Sequence, residues 1–315
     1  MIILNQTQAV NIADMAVIEL AKYIRENKLQ NIILGISGGL DSAVMAAIGL
    51  KAISLLKSWG YSCGYKYVFI DVDSKPVDLV KARALASKIG FYMEEVNLTE
   101  WYFACPFRIQ NPVTHLDRLR NGNIKCRERM VYLFHLASEE RGLVLDTDDL
   151  SELLMGFWTI NGDVGNVKVI QELTKDEVRD LGEFLGVPKI ILESAPGDGL
   201  GVTATNIASD QLGMIYLKID YTMSQLIRYG FDINGSDQQL TNQGFKLLFE
   251  RIAAEIQEPV EKLVHVAWQS VNTGFKRKYG DNVKILLPSR KAMGLPELGS
   301  DQFSKVYLTA IQKEF

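Results

Sequence analysis

Apolar residues recur at helical spacing over positions 7–27 (Ala9, Ile12, Met15, Ala16, Ile18, Ala21, Ile24), which predicts an amphipathic helix at the start of the chain. The period then changes. Asn31-Ile32-Ile33-Leu34 is a short continuous apolar run, as expected of a buried strand over 31–36, and it feeds a helical pattern over 40–58. A second run, Lys66 to Val72, predicts another strand; a helix over 75–89 ends at Gly90, and a strand over 91–96 follows. Residues 98–121, with Pro106 and Pro112, read as less regular. A helix over 123–141, in which His135 is expected to be a packed residue, leads through Gly142 into the short strand Leu143-Val144-Leu145. Strands separated by helices of this length predict an α/β fold, a doubly wound parallel sheet flanked by helices. The second half reads as helical over 174–186, 205–229, 238–256 and 258–278. Segments 194–201 and 279–300 read as loops, candidate lids over a site.

The boundary between the first strand and the next helix is Ser37-Gly38-Gly39-Leu40-Asp41-Ser42. A glycine-rich turn there presents backbone N–H groups and the positive end of a helix dipole, a ready site for an anion. Gly38 and Gly39 let the backbone approach a phosphate, and Ser37 and Ser42 add hydroxyls. Asp41 would repel that phosphate unless a cation lies between them, so the pattern points to a nucleotide with Mg²⁺. The Lys of a Walker A loop is absent, and the spacing is not G-x-G-x-x-G. In a doubly wound sheet ligands sit at the carboxyl ends of the strands, where Asp71-Val72-Asp73 and Asp146-Thr147-Asp148 are also expected.

Composition narrows the classes. At 315 residues with 47% hydrophobic and 23% charged content the chain reads as an ordinary globular protein. A net charge of −4, from 34 Lys and Arg against 38 Asp and Glu, argues against a general nucleic-acid binder. No apolar stretch approaches a membrane span and the first residues carry no signal-peptide pattern, so neither a membrane nor export is expected. Cys63, Cys105 and Cys126 lack metal spacing and read as reduced thiols of a cytoplasmic protein. Only three histidines are present and none is paired at ligand spacing, which disfavours a zinc site or a Ser-His-Asp hydrolase.

The SGG-x-DS loop resembles the PP-loop of the N-type ATP pyrophosphatases, which cleave ATP between its α and β phosphates. Further pieces sharpen this. Gly122-Asn123-Ile124-Lys125-Cys126-Arg127-Glu128-Arg129-Met130, then Asp146-Thr147-(x)4-Glu152, then Gly156-Phe157-Trp158-Thr159-(x)2-Gly162-Asp163 resemble, in order, three motifs of ammonia-dependent NAD synthetase. Leu173-Thr174-Lys175, Leu185-Gly186-Val187-Pro188, Asp210-Gln211-Leu212-Gly213 and Lys276-Arg277-Lys278 resemble later ones, so the likeness spans most of residues 8–290. It implies an adenine nucleotide alpha hydrolase-like fold, a single catalytic domain over 1–315 with an α/β core over 1–190 and a helical extension over 191–315. It implies a reaction in which ATP adenylylates the carboxylate of deamido-NAD, releasing pyrophosphate, and ammonia then displaces AMP to give NAD⁺.

Residue by residue, the resemblance implies that Asp41 and Glu152 bind Mg²⁺, that Ser37, Gly38, Gly39, Leu40 and Ser42 hold pyrophosphate, and that Thr147 and Lys175 contact ATP. Asp163 is implied beside the ammonia site, where it could take a proton from ammonium, and Arg127, Phe157, Trp158 and Lys276 at the dinucleotide. The departures cluster at the acceptor. The family's Lys after its FT pair is Ile160, a later Asp is Val167, the His of its HK pair is Phe275, and a Thr is replaced within Pro196-Gly197-Asp198. The ATP-side residues are otherwise intact, so activation of a carboxylate is the firmer expectation. An adenylating ligase with another acceptor and a nucleotide-binding regulatory protein remain the alternatives. About 30 residues precede the loop, too few for the glutaminase domain of glutamine-dependent relatives, so free or partner-supplied ammonia is expected. A homodimer is expected by analogy with the family.

Overall fold

The computed structural model describes residues 3–197, 199–203, 205, 207–278, 283–284 and 287–314. α1 (Gln6–Glu26) begins at Asn5, whose side chain forms a capping box with Gln8, and buries Ile12, Ala16, Leu20 and Ile24 along one stripe. β1 (Asn31–Gly35) leads into α2 (Leu40–Ser58), β2 (Gly64–Asp71), α3 (Pro76–Ile89) and β3 (Glu94–Asn97). The chain then forms α4 (Thr99–Ala104) and α5 (His115–Glu139) before returning to the sheet as β4 (Gly142–Val144). All four strands are parallel, in the order β3-β2-β1-β4.

That order places the site. The chain winds outward from β1 to β3 and then crosses to the other side of β1, so the winding reverses between β1 and β4. A crevice opens at such a reversal, at the carboxyl ends of the two strands. The Ser37–Ser42 loop follows one of them and Asp146–Asp149 the other.

After β4 come α6 (Leu150–Met155), β5 (Val167–Lys168), α7 (Lys175–Leu185) and α8 (Lys189–Leu192). A parallel bridge between Leu145 and Val167 carries the sheet onward to β5. The remainder is helical: α9 (Ala208–Leu212), α10 (Tyr216–Arg228), a 3-10 turn (Asp237–Thr241), α11 (Gln243–Ile256), α12 (Val260–Asn272), α13 (Gly274–Lys278) and α14 (Asp301–Glu314). Between α13 and α14, β6 (Val283–Lys284) pairs in parallel with β5.

Strand alternation explains the layering. Ile32, Leu34, Tyr67 and Phe69 face α1, α2 and α7 in one core; Ile33, Val68, Ile70 and Val144 face α4 and α5 in another. Both faces of the sheet are covered, as a parallel sheet requires. A third core joins α6 to α9, α10, α11, α12 and α14.

The differences from the sequence reading are local. α5 starts eight residues early because Thr114 and Asp117 form a capping box, and α4 occupies part of the stretch read as irregular. The helix expected over 205–229 is two, because Gly213 takes φ +77° and ends α9. His135 is exposed on α5 and pairs with Glu139 at 3.5 Å, so it is not a packed residue. Of the segment read as a loop over 279–300, residues 279–282 and 285–286 lie outside the described residues, and β6 lies within it. α14 was not anticipated, although Phe303, Tyr307, Ala310 and Ile311 carry the spacing of a buried helical face.

Gly49, in the middle of α2, tests the packing of α2 on the sheet. A Cβ there would collide with the Tyr67 hydroxyl, which donates to the Ala46 carbonyl at 3.2 Å. Gly→Ala in a helix interior ordinarily stabilises by about 1 kcal/mol, whereas overpacking a core costs about 1–3 kcal/mol. Gly49→Ala is therefore expected to destabilise in urea unfolding, and Gly49→Ala combined with Tyr67→Phe to recover most of that loss. A stabilised single variant would contradict the packing.

Candidate active site

The turn after β1 is built by its own serines. The Ser37 backbone N–H donates to Ser42 Oγ at 3.2 Å, the two hydroxyls lie 3.0 Å apart, and the Gly39 N–H donates to Ser37 Oγ at 3.1 Å. Gly38 takes φ +80°, and a Cβ there would collide with the Asp78 carbonyl of α3. Glycine is needed at this position for both reasons. Leu40 and Asp41 are the first residues of α2, so the loop ends on the positive pole of a 19-residue helix.

Asp41 faces a cluster drawn from three elements. The Lys175 Nζ, at the start of α7, lies 2.9 Å from Asp41 Oδ2, 3.0 Å from Asp149 Oδ2 and 2.8 Å from Glu152 Oε1. It also stands over the Tyr216 ring, 5.3 Å from its centroid. Asp149 caps α6: its Oδ1 accepts from the Glu152 N–H at 2.9 Å while Glu152 Oε2 accepts from the Asp149 N–H at 3.2 Å. One capping box thus aims two carboxylates at one ammonium. Burial acts to lower the Lys175 pKa, but Asp149, Asp41 and Glu152 outweigh it and hold the ammonium charged, well above the usual lysine range. Burial pushes Asp149 well up, and it pushes Glu152 up to about 7 although Lys175 opposes this.

A second cluster adjoins the first. Lys168 on β5 lies 2.9 Å from Asp148 Oδ2 and 3.7 Å from Asp146 Oδ2. Asp146 accepts the Asp148 and Gly165 N–H groups, both at 2.8 Å, and so pins the turn after β4 to the loop before β5. Lys276 donates to the Gly156 and Trp158 carbonyls at 2.7 and 2.5 Å. The Trp158 ring stands near two cations, with the Lys168 and Lys276 ammonium groups 5.8 and 5.5 Å from its centroid. Asp163 Oδ1 accepts the Thr159 N–H at 2.8 Å, and burial followed by the Asp148 charge raises its pKa well above the usual range. Burial lowers that of Lys276, against the pull of Asp163 and Asp148.

The sequence-expected residues thus fall into one region. Ser37–Ser42, Glu152 and Lys175 line the first cluster, and Trp158, Asp163 and Lys276 the second. Thr147 is partly buried in the turn between them. Phe157 packs toward the third core, and Arg127 is exposed, donating to the Ile160 carbonyl at 3.3 Å. Of the acceptor-side departures, Val167 is fully buried in β5 and Phe275 is exposed. Asp198 lies outside the described residues. Asp149, Lys168 and Tyr216 belong to the site and were not singled out from the sequence. An acid at 149 as helix N-cap four residues after Leu145 was the available signal for one of them.

Against this geometry the comparisons are decisive. The family model described as NAD synthase matches residues 12–259. The chain belongs to the NAD synthase family. An NH₃-dependent NAD⁺ synthetase of Pyrococcus furiosus is 31% identical over 252 residues, 80% of this chain and 89% of that relative. One from Chlorobium phaeobacteroides is 30% identical over 210 residues, 66% of this chain and 72% of its own length. Among solved structures, an NAD⁺ synthetase from Burkholderia pseudomallei superimposes with a TM-score of 0.54 at 26% identity, covering 60% of this chain and 71% of that one. An NMN synthetase from Francisella tularensis shares the fold with a TM-score of 0.64 at 22% identity, covering 89% of this chain and 98% of that one.

The raised Glu152 pKa has a consequence for stability. Its folded value, about 7, lies above the unfolded value near 4.5, so folding takes up a proton between them. The stabilisation is complete below the unfolded value and is lost as pH rises through about 7. Glu152→Gln is expected to flatten the decline in stability between pH 5 and 8, measured by urea unfolding at several pH values; an unchanged slope would contradict the shift.

Proposed function

We propose that this chain amidates deamido-NAD with ammonia at the expense of ATP, through an adenylylated carboxylate, releasing AMP and pyrophosphate. The observation that carries the reading is the placement of the Ser37–Ser42 turn at the sheet's reversal, beside the Asp41–Glu152–Lys175 cluster, in a chain of this family. Attack of a carboxylate on the α-phosphate brings anions together, so donors and cations must offset their repulsion. The turn supplies N–H groups and hydroxyls to hold the pyrophosphate, Lys175 a fixed positive charge within reach of it, and Thr147 a hydroxyl toward the nucleotide.

The acids fit a divalent cation. Asp41 Oδ1 is buried and has no hydrogen-bond partner among the described residues. No three His, Cys, Asp or Glu side chains form a metal cage there among the described residues. Mg²⁺ is customarily held by one or two carboxylates together with substrate phosphates. Asp41 and Glu152 would be those two. When bound, Mg²⁺ would neutralise phosphate charge as the leaving group departs.

Asp163 is suited to take a proton from ammonium, since burial raises its pKa and makes its carboxylate a stronger base than an exposed one. Trp158 offers a ring to the acceptor beside the two lysines, and Arg127 and Lys276 offer positive charge to its phosphates. Ammonia is taken free or from a partner. A homodimer is supported by the apolar side chains exposed on α4, α5 and the segment between them: Trp101, Phe107, Val113, Leu116 and Val131 are all half-exposed or more. No described helix is long and apolar enough to cross a membrane, and the three cysteines are free thiols. These features are compatible with a cytoplasmic site of action, and with the α/β core and helical extension acting as one catalytic domain.

Incubating the protein with ATP, Mg²⁺, ammonium and deamido-NAD should yield NAD⁺ and AMP in equal amounts. AMP formed only with another carboxylate would sink the reading. Asp41→Ala and Glu152→Ala should each abolish AMP release while leaving cooperative unfolding intact. Ile160→Lys, which returns a lysine to the acceptor side, should lower the KM for deamido-NAD or leave it unchanged; loss of binding would mean that the acceptor pocket is built differently.

A further inference from the structure

We infer that Arg290 and Tyr307, from the segment that closes the described chain, position the first turn of α7 and with it the Lys175 ammonium. The inference rests on the amidation reading only for its kinetic test. Both residues lie beyond position 259, where the family match ends.

Arg290 is 6% exposed and Glu177, its partner in α7, fully buried. The pair is bidentate, with Nη1 donating to Glu177 Oε2 at 2.9 Å and Nη2 to Oε1 at 2.7 Å. Two further donors are engaged: Nε reaches the Pro296 carbonyl at 2.9 Å and Nη1 the Glu172 carbonyl at 2.8 Å. A buried ion pair loses more to desolvation than it gains unless its geometry is this complete. Glu177 Oε2 also accepts the Thr174 N–H at 2.9 Å, so Arg290 grips the same carboxylate that caps the helix. A second tie runs through Tyr307, whose hydroxyl is hydrogen-bonded to the Thr174 hydroxyl. The two ties are one unit. The Arg290 guanidinium lies over the Phe303 ring, 5.4 Å from its centroid, and Phe303 stacks on Tyr307 at 4.1 Å and 7°.

Lys175 lies between the two gripped residues. Its own N–H donates to Ser151 Oγ at 2.9 Å, and that hydroxyl donates to the buried Asp220 at 2.8 Å. The backbone at 174–177 is thereby fixed from three sides. An ammonium that meets three carboxylates at 2.8–3.0 Å tolerates little displacement of the backbone that carries it. Arg290 and Tyr307 touch none of the reacting groups; they act through α7.

The variants to compare are Tyr307→Phe, which deletes one hydroxyl, and Arg290→Lys, which keeps the charge and cannot form the fork. Leu263→Ala, in the third core away from α7, supplies a control for loss of stability alone. Both positioning variants should unfold cooperatively and lose about 10–100-fold in kcat, with the KM for deamido-NAD unchanged and faster hydrogen exchange at the amides of 174–178. The control should lower Tm without either effect. Wild-type kcat and wild-type exchange in both variants, or an equal loss of kcat in the control, would overturn the inference. Conversion of deamido-NAD by the unaltered protein is measured first. Should it fail, the amidation reading falls, and the exchange measurement, which needs no substrate, still decides whether these residues hold α7.

Discussion

One ammonium group, that of Lys175, allows three carboxylates to share the crevice at the sheet's reversal. Asp149 is wholly buried and Asp41 and Glu152 partly so. Carboxylates taken out of water at this spacing repel one another and lose hydration, and in the absence of a cation they would protonate or move apart. The lysine ties together three segments far apart in sequence: the start of α2, the capped end of α6 and the first turn of α7. The placement of the Ser37–Ser42 turn relative to the acids therefore follows from the pull of one ammonium as much as from the packing of the helices on the sheet.

The neighbouring lysine, Lys168, is organised differently. Burial opposes its charge, Asp148 and Asp146 restore it, and its pKa ends above the usual value. Asp146 spends its oxygens on backbone N–H groups, so that pair stiffens the turn after β4 rather than facing outward. Next to it, the Asp163 carboxyl and the Lys276 amine are both pushed toward their neutral forms by burial. Two adjoining regions of one crevice thus differ in kind. The first sets one ammonium among three carboxylates, so a polyanionic nucleotide there needs a further cation. The second holds an acid and an amine whose burial works against their charged forms.

The strands and the loop between β1 and α2 were legible because their signals are local: a continuous apolar run, two glycines, then an unbroken helical pattern. Asp41 was marked by the turn itself, Glu152 and Lys175 by resemblance to family motifs, and the three meet at one ammonium. Asp149 offered only the signal of a helix N-cap, and Lys168 none, since its partner acids lie on a different element and such pairing leaves no periodicity in the chain. Boundaries went astray where a side chain decided them. The Thr114–Asp117 box started α5 early, and Gly213 divided a helix that hydrophobic spacing alone would run together. The last helix was missed despite its apolar stripe, because the preceding segment read as loop and nothing nearby marked a strand to pack against.

The ties onto α7 also bear on how the molecule comes into being. Glu177 and Arg290 are 113 residues apart, and Thr174 and Tyr307 are 133 apart. A ribosome adds roughly 5–20 residues each second, so the four-stranded sheet and the Ser37–Ser42 turn emerge many seconds before the residues that fix Lys175. Contacts of such separation close late, after the loop between them has lost its freedom. A nascent chain can therefore carry a finished Ser37–Ser42 turn while its acids still lack a fixed counter-charge, and that charge is locked in place only with the last helix.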